Sequence, residues 1–245
     1  MKNRRYDYIR GKQDLEDELQ TMRSYADHQL EIEKAFIKYI YPYIHNKDLN
    51  IFEGCCGIGY LANHLSELSP KSKFYCIDQC NKMIEEANRR FYSDNLKFRC
   101  IDIYDIKNAE KTFDISYVFN TLMVIPHYDE ILKKLMSLTK DYIFFSSLFY
   151  DGWIDYDIKI REWKMNAGKR DYNKYYNVYS LQKFREFAIE NGAKDVEWAP
   201  FNINIDLKRE NKDRMGTYTL SLKDDKKVEI TGILLKEWYF IKVSL

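Results

Sequence analysis

The chain has 245 residues, of which 45% are hydrophobic, and this is enough for one sizeable core. Its 39 basic and 38 acidic side chains nearly cancel, so the basic face typical of nucleic-acid binding is not expected. No apolar run has the length of a membrane span or the pattern of a signal peptide. Together with the charge balance, this predicts a cytoplasmic protein with neither a nucleic-acid nor a membrane partner.

The five cysteines are odd in number and contain no Cys-x-x-Cys pair, which favours free thiols in a reducing compartment. The four histidines are scattered, and no acidic cluster has the spacing of metal ligands. We therefore predict no metal site.

Residues 13–40 carry apolar side chains at helical spacings and predict a helical extension within residues 1–44. Such a segment either packs on a sheet or also covers a ligand. Tyr25 and His28 lie on nearby helical faces and could reach a substrate, and Tyr6 and Tyr8 are assigned to the same lid.

Residues 49–52 are mostly apolar and predict a short buried strand, which Glu53 follows directly. A turn without bulky side chains comes next, and residues 60–68 then predict a helix. A strand, a glycine turn and a helix form a nucleotide-binding half-unit. The glycines that allow close backbone approach are Gly54, Gly57 and Gly59.

Strand and helix signals alternate after this turn, which favours a parallel sheet. Asp78 ends the second strand signal, where an acid can accept both hydroxyls of a ribose. Asp102 ends the third strand, and Asn120 ends the fourth. The predicted strands are 73–78, 96–101, 113–119 and 142–145, with a helix over 127–138 before the last.

The stretch Glu53-Gly54-Cys55-Cys56-Gly57-Ile58-Gly59 resembles the first motif of class I S-adenosylmethionine-dependent methyltransferases. Asp78 and the pair Asp102-Ile103 resemble the acids that this family places after its second and third strands. The resemblance covers residues 45–150. It implies a doubly wound, mostly parallel, seven-stranded Rossmann-like sheet, with S-adenosylmethionine as cofactor and S-adenosylhomocysteine as product.

The resemblance also implies a role for each matching residue. Glu53 would order the amino-acid end of the cofactor, Asp78 would hold the ribose, and Asp102 would accept from the adenine amino group. The full set of implied cofactor residues is Glu53, Gly54, Gly57, Gly59, Asp78, Gln79, Met83, Asp102, Ile103 and Asn120.

Two departures from the family pattern are visible. Cys55 stands where glycine is frequent. Residues 119–122 lack the Asn/Asp-Pro-Pro-aromatic signature of enzymes that methylate base amines, so base methylation is disfavoured.

The chain is interpreted as one domain over residues 1–245, with a cofactor half at 45–150 and a substrate half at 151–245. Aromatic residues crowd the segment 147–178, which leaves the fifth strand and could line an acceptor pocket. The predicted substrate residues are Tyr25, His28, Trp153, Tyr172 and Tyr176.

A hairpin over 218–222 and 227–231 is predicted as an insertion between the last two strands, and it could extend a sheet edge, shape the pocket or join two subunits in a homodimer. Residues 214–217, just before it, could reach the active site.

A hydroxyl acceptor needs a base, and His127, after the fourth strand, is the leading candidate. Asp151, Asp155 and His28 are its rivals. The predicted reaction is methyl transfer to a small polar metabolite, with a sugar hydroxyl preferred over a small amine or a carboxylate. A nicotinamide oxidoreductase and a non-catalytic binding module stay open as alternatives.

Overall fold

The computed structural model describes residues 12–106, 111–161, 173–208, 217–222, 226–231 and 238–245. Tyr6, Tyr8, Tyr172 and residues 214–216 lie outside this set, so their predicted roles stay predictions.

The helices in the described residues are α1 (Lys12–Asp27), α2 (Glu31–Ile44), α3 (Tyr60–Leu68), α4 (Asn81–Arg90), α5 (Asp129–Leu138) and α6 (Leu181–Glu190). The strands are β1 (Asn50–Gly54), β2 (Lys73–Asp78), β3 (Leu96–Cys100), β4 (Phe113–Phe119), β5 (Thr139–Tyr150), β6 (Lys159–Arg161), β7 (Asn173–Tyr175), β8 (Tyr179–Ser180), β9 (Asp195–Phe201), β10 (Thr217–Ser221), β11 (Lys227–Thr231) and β12 (Trp238–Ser244).

The main sheet has the strand order β3-β2-β1-β4-β5-β12-β9, and the short strand β8 also pairs with β5. The first five strands of this order are parallel, whereas β12 runs antiparallel to both β5 and β9. The predicted seven-stranded, mostly parallel sheet is therefore confirmed, with β8 as a small addition.

Helices cover both faces of the sheet, as a doubly wound fold requires. Phe36 of α2, Leu61 of α3 and Ala87 of α4 belong to one buried apolar cluster. Leu135 of α5 and Phe184 of α6 belong to a second cluster. The strands β1, β4 and β5 are buried between the two, whereas the edge strand β3 buries only one face.

The N-terminal extension consists of two helices rather than the single run over 13–40 that periodicity suggests. Leu30 has an extended backbone, with φ −69° and ψ 149°, and this conformation ends one helix and begins the next. Apolar spacing continues across the break, which is why the sequence did not reveal it.

The predicted hairpin is confirmed between β9 and β12. Strands β10 and β11 pair antiparallel, with Thr217 opposite Thr231, and they form a separate two-stranded sheet rather than an extension of the main one. Within the described ranges, no helix combines the length and the apolar character needed to cross a bilayer.

Candidate active site

The loop after β1 has a left-handed backbone at three positions. The φ angles are 59° at Cys55, 55° at Gly57 and 75° at Gly59. A Cβ atom on Gly59 would lie 2.2 Å from Cε1 of Phe98, so this glycine lets α3 begin directly against β3. Cys55 adopts the same conformation with a side chain, which costs on the order of 1 kcal/mol.

Asp78 joins this loop to the start of α4. Its Oδ2 accepts from the backbone N–H of Gly57 at 2.9 Å, and its Oδ1 accepts from the N–H of Cys80 at 2.8 Å. A carboxylate has further lone pairs, so the same oxygens can also accept from ligand hydroxyls.

Asp102 and Ile103 form the opposite wall. Oδ1 of Asp102 accepts from the N–H of Tyr104 at 3.0 Å and caps a short 3₁₀ turn at Ile103–Asp105. Ile103 is buried, and its Cδ1 would lie 2.7 Å from a Cβ atom on Gly54. Gly54 therefore makes room for the side chain that closes this wall.

Glu53 is the most deeply buried carboxylate of the site, with 3% of its surface exposed. Its Oε2 is buried and has no hydrogen-bond partner among the described residues. Burial raises the pKa of Glu53 well above its usual value, because a charged carboxylate is poorly solvated there. A cationic group bound beside it would offset this cost.

Asn120 follows β4 with a left-handed φ of 51°. Its N–H donates to the carbonyl of Ser146 at 2.9 Å, and its Oδ1 accepts from Oγ of Ser146 at 2.6 Å. Both bonds hold the side chain at the carboxyl end of the sheet, where open α/β folds bind ligands.

These walls enclose a cavity of about 910 Å³. Met22 and Tyr25 of α1 cover it from one side, and Thr217 and Glu229 of the hairpin line it from another. The volume is near the upper end of ordinary ligand pockets, which run from roughly 300 to 1,000 Å³.

Most of the predicted site residues lie together in this cavity. Its lining includes Glu53, Gly57, Asp78, Gln79, Met83, Asp102, Ile103, Asn120, Tyr25, His28 and Tyr176. Gly54 and Gly59 lie behind the wall and act through the close contacts given above.

Trp153 and His127 are not in the lining. Trp153 is 64% exposed, and the ammonium of Lys183 lies 5.2 Å from the centre of its ring. His127 is exposed just before α5, so its place in the structure counts against the predicted role as base.

The other candidates for the base also differ in whether they line the cavity. Asp155 accepts from the N–H of Ser180 at 2.6 Å, and Asp151 accepts from Gln182, so both act outside the cavity. His28 lines the cavity.

Several cavity residues were not predicted as site residues. Tyr60 begins α3 and Met123 follows β4, so both stand next to a strand end or turn that the sequence pattern marks. Ile203, Leu207 and Glu229 come from the last fifth of the chain, and no local pattern marks them as ligand contacts.

The chemistry of the lining fits one cofactor class. Glu53, Asp78 and Asp102 present carboxylate acceptors in sequence along the strand ends, and a ligand with an ammonium group, ribose hydroxyls and an adenine amino group presents donors. Residues 51–141 match the family model described as a methyltransferase domain. This part of the chain is therefore similar to methyltransferase domains.

Two known proteins are similar to this chain over longer stretches. The chain is 26% identical over 129 residues to the malonyl-[acyl-carrier protein] O-methyltransferase of Priestia megaterium, a match that covers 53% of this chain and 47% of that enzyme. It is 23% identical to the tRNA U34 carboxymethyltransferase of Campylobacter fetus, over 86% of this chain and 76% of that protein. The chain thus spans about half the length of the first relative.

A solved structure shows the same fold as this chain. The magnesium protoporphyrin IX methyltransferase of Synechocystis with bound S-adenosylhomocysteine matches with a TM-score of 0.56 at 13% identity, over 91% of this chain and 92% of that one. The antiparallel β12 between β5 and β9 also separates this fold from the dinucleotide-binding fold, whose sheet is mostly parallel. The nicotinamide alternative is therefore dropped.

Proposed function

We propose that the protein transfers a methyl group from S-adenosylmethionine to a small polar acceptor bound between α1 and the hairpin. The observation that carries the proposal is the position of Asp78. Its carboxylate orders both the Gly57 loop and the start of α4, and it faces the cavity of the methyltransferase domain.

The cofactor supplies an electrophilic methyl carbon, and transfer breaks its bond to sulfur, leaves that electron pair on sulfur and forms a bond to the acceptor, whose proton goes to a base or to water. The protein aligns the two reactants and excludes water. Glu53, Asp78 and Asp102 would hold the cofactor, while Tyr25 and Tyr176 would cover the acceptor.

Two acceptor groups are consistent with this arrangement. A sugar hydroxyl needs a base, and His28 lines the cavity whereas His127 does not. An amine needs no dedicated base once it is neutral.

The relatives act on other classes of acceptor. Their names give malonyl-[acyl-carrier protein], tRNA and magnesium protoporphyrin IX. We propose a small molecule for this chain because the cavity is bounded by α1 and the hairpin. Action in the cytoplasm, the lack of a nucleic-acid partner and a homodimer stay predictions, and tRNA belongs in the acceptor panel.

Titration calorimetry with S-adenosylhomocysteine tests the cofactor half of the proposal. We expect binding, and we expect Asp78→Ala to weaken it by at least about tenfold because two hydrogen-bonded hydroxyls lose their acceptor. The control Asp94→Ala removes an exposed carboxylate and should bind like the wild type. Equal affinity of Asp78→Ala and wild type would refute the proposal.

A further inference from the structure

The segment that follows β9 forms an apolar wall of the cavity. Ile203, Ile205 and Leu207 line the cavity, whereas the intervening Asn204 and Asp206 do not. Side chains of an extended chain alternate between its two sides, so this spacing directs three apolar side chains inward. In the main sheet β9 lies beyond β4 and β5, at the opposite end from β2 and β3. The wall is therefore on the side of the cavity that the predicted cofactor residues leave open.

Polar contacts fasten this segment to the hairpin. The N–H of Leu207 donates to Oγ1 of Thr219 at 2.9 Å, and the N–H of Thr219 donates to the carbonyl of Leu207 at 3.1 Å. Nζ of Lys227 lies 2.9 Å from Oδ1 of Asp206 and donates to the carbonyl of Asn204 at 3.4 Å. These contacts use the backbone and the polar side chains of the segment, so its apolar side chains face the cavity before any ligand binds.

Ile205 shows what this wall lacks. It lines the cavity, yet 42% of its surface is exposed. Covering apolar surface is favourable by about fourfold in affinity for each methylene that leaves water. A ligand with an apolar part would gain this contribution on the wall. A polyol would lose water from its hydroxyl groups there without gaining hydrogen bonds in return.

The other walls on this side of the cavity are apolar as well. Met22 and Tyr25 come from α1, Met123 comes from the turn after β4, and Tyr176 is buried. Thioether and aromatic side chains adapt to apolar groups of varied shape and pack well against rings. The walls outside the cofactor motifs thus offer a continuous apolar surface.

Most polar side chains of these walls already have partners in the protein. Glu31 is paired with Lys34 at 2.6 Å, and Oγ1 of Thr121 donates to the carbonyl of Phe119 at 3.0 Å. Three further polar residues of the lining also interact with other groups of the protein, namely Glu18, Thr217 and Glu229. A sugar brings several hydroxyl groups that each need a partner when they leave water. The lining therefore suits a ligand with few polar groups.

We propose that the acceptor carries its reacting hydroxyl or amine on an apolar body, a ring or chain of carbon atoms that packs against Ile205 and the rest of this wall. The inference rests on the proposed methyl transfer and narrows its substrate class. Hydrophobic alcohols, phenols and amines are favoured, and a sugar is disfavoured because most of its hydroxyl groups would be unpaired.

Two series of alcohols that differ in apolar surface test the proposal. One runs from cyclohexanol to its 4-methyl, 4-ethyl and 4-propyl derivatives, and the other runs from phenol to the same derivatives. The ring polyol myo-inositol and glucose serve as polar references. Each ligand is titrated by calorimetry at millimolar concentration into protein saturated with S-adenosylhomocysteine. In at least one series we expect the affinity to rise about threefold or more with each added carbon, and the propyl derivative to bind about tenfold or more tightly than either reference.

Variants of Ile205 test whether this wall is the source of the rise. Ile205→Asn places an amide in the wall and should reduce the rise to less than about twofold per carbon, whereas Ile205→Leu keeps an apolar side chain and should retain it. The control Leu220→Asn makes the same kind of change on β10, at a side chain that is 41% exposed and does not line the cavity, and should behave like the wild type. Binding of S-adenosylhomocysteine shows that each variant is folded.

The proposal is overturned if myo-inositol or glucose binds best, if no member of either series binds, if affinity does not rise with added carbon, or if Ile205→Asn keeps the full rise. A wild-type protein that fails to bind S-adenosylhomocysteine would instead contradict the proposed function, so the two failures are distinct.

Discussion

Arg23 of α1 donates to both carboxylate oxygens of Glu86 on α4, with Nε 3.1 Å from Oε1 and Nη2 3.2 Å from Oε2. A second pair joins the same helices, since Nη2 of Arg90 lies 2.5 Å from Oδ1 of Asp27. Helix α1 carries Met22 and Tyr25 over the cavity. These ion pairs therefore hold α1, which covers the cavity, against α4 of the cofactor half.

We expect Glu86→Gln to loosen α1 without unfolding the sheet. A bidentate bond between charged groups becomes weaker, at a cost of about 1–2 kcal/mol for a partly exposed pair. Hydrogen exchange of the α1 amides should accelerate, while exchange in β1 and β4 should not. Glu85→Gln removes an exposed carboxylate from the same helix and should leave α1 unaffected.

The same ion pair predicts that the stability of α1 depends on pH. Hydrogen bonds from Arg23 and Arg89 lower the pKa of Glu86 to about 2. Because the pKa of Glu86 is lower in the folded protein, its ion pair stabilises the fold fully at pH values above the pKa of the unfolded chain, near 4.5. This stabilisation is lost as the pH falls toward 2. Exchange of α1 that does not change over this range would contradict the role of Glu86.

Gly59 should not tolerate a side chain. Gly59→Ala combines a left-handed φ with a Cβ atom 2.2 Å from Phe98, and overpacking of this kind costs typically about 1–3 kcal/mol beyond the backbone strain. Gly192 also has a positive φ, but a Cβ atom there meets no described atom within 4 Å. Urea unfolding should thus show a larger loss for Gly59→Ala than for Gly192→Ala, and equal losses would argue against the contact with Phe98.

Glu53 should make cofactor binding depend on pH. Because burial raises its pKa in the ligand-free protein, and an ammonium group favours the ionised form, affinity for S-adenosylhomocysteine should rise as the pH increases through that pKa. Glu53→Gln should bind about tenfold or more weakly and lose this rise. The control Glu67→Gln changes an exposed carboxylate on α3 and should keep the wild-type dependence of affinity on pH. If the affinity of Glu53→Gln still rises with pH, Glu53 is not the source of the rise.

His64 and Glu33 predict a loss of stability on the alkaline side. Nδ1 of His64 lies 2.6 Å from Oε1 of the buried Glu33, and this hydrogen bond raises the pKa of His64. Because the pKa of His64 is higher in the folded protein, its bond to Glu33 stabilises the fold fully at pH values below the pKa of the unfolded chain, near 6.5. This stabilisation is lost as the pH rises through the pKa of His64 in the folded protein. Urea midpoints should fall over this interval in the wild type and less in His64→Asn. The same fall in both proteins would assign it to other groups.

The cofactor half was predictable because its signals are local. Asp78 ends β2, Gly57 and Asp102 follow shortly after β1 and β3, and parallel topology brings the carboxyl ends of these strands to one edge of the sheet. Apolar runs and turn residues likewise placed β10 and β11.

The part of the cavity between α1 and the hairpin was less predictable because it is assembled from distant parts of the chain. Glu229 and Tyr25 line the same cavity only because of the position of the hairpin, and nothing in the sequence near either residue encodes that proximity. Trp153 stood among aromatic residues and was expected in the pocket, yet it is exposed beside Lys183. Aromatic content alone did not indicate which way such a side chain points.

The position of β12 has a consequence for how the chain folds during synthesis. This strand lies between β5 and β9 and supplies the neighbours of both. Until residues 238–244 have left the ribosome, β9 has no partner in the main sheet, and β5 keeps an open edge next to Phe144 and Ile143. A nascent chain at this stage presents an unpaired apolar strand to its surroundings, and such an edge is prone to aggregation until β12 has emerged and paired with it.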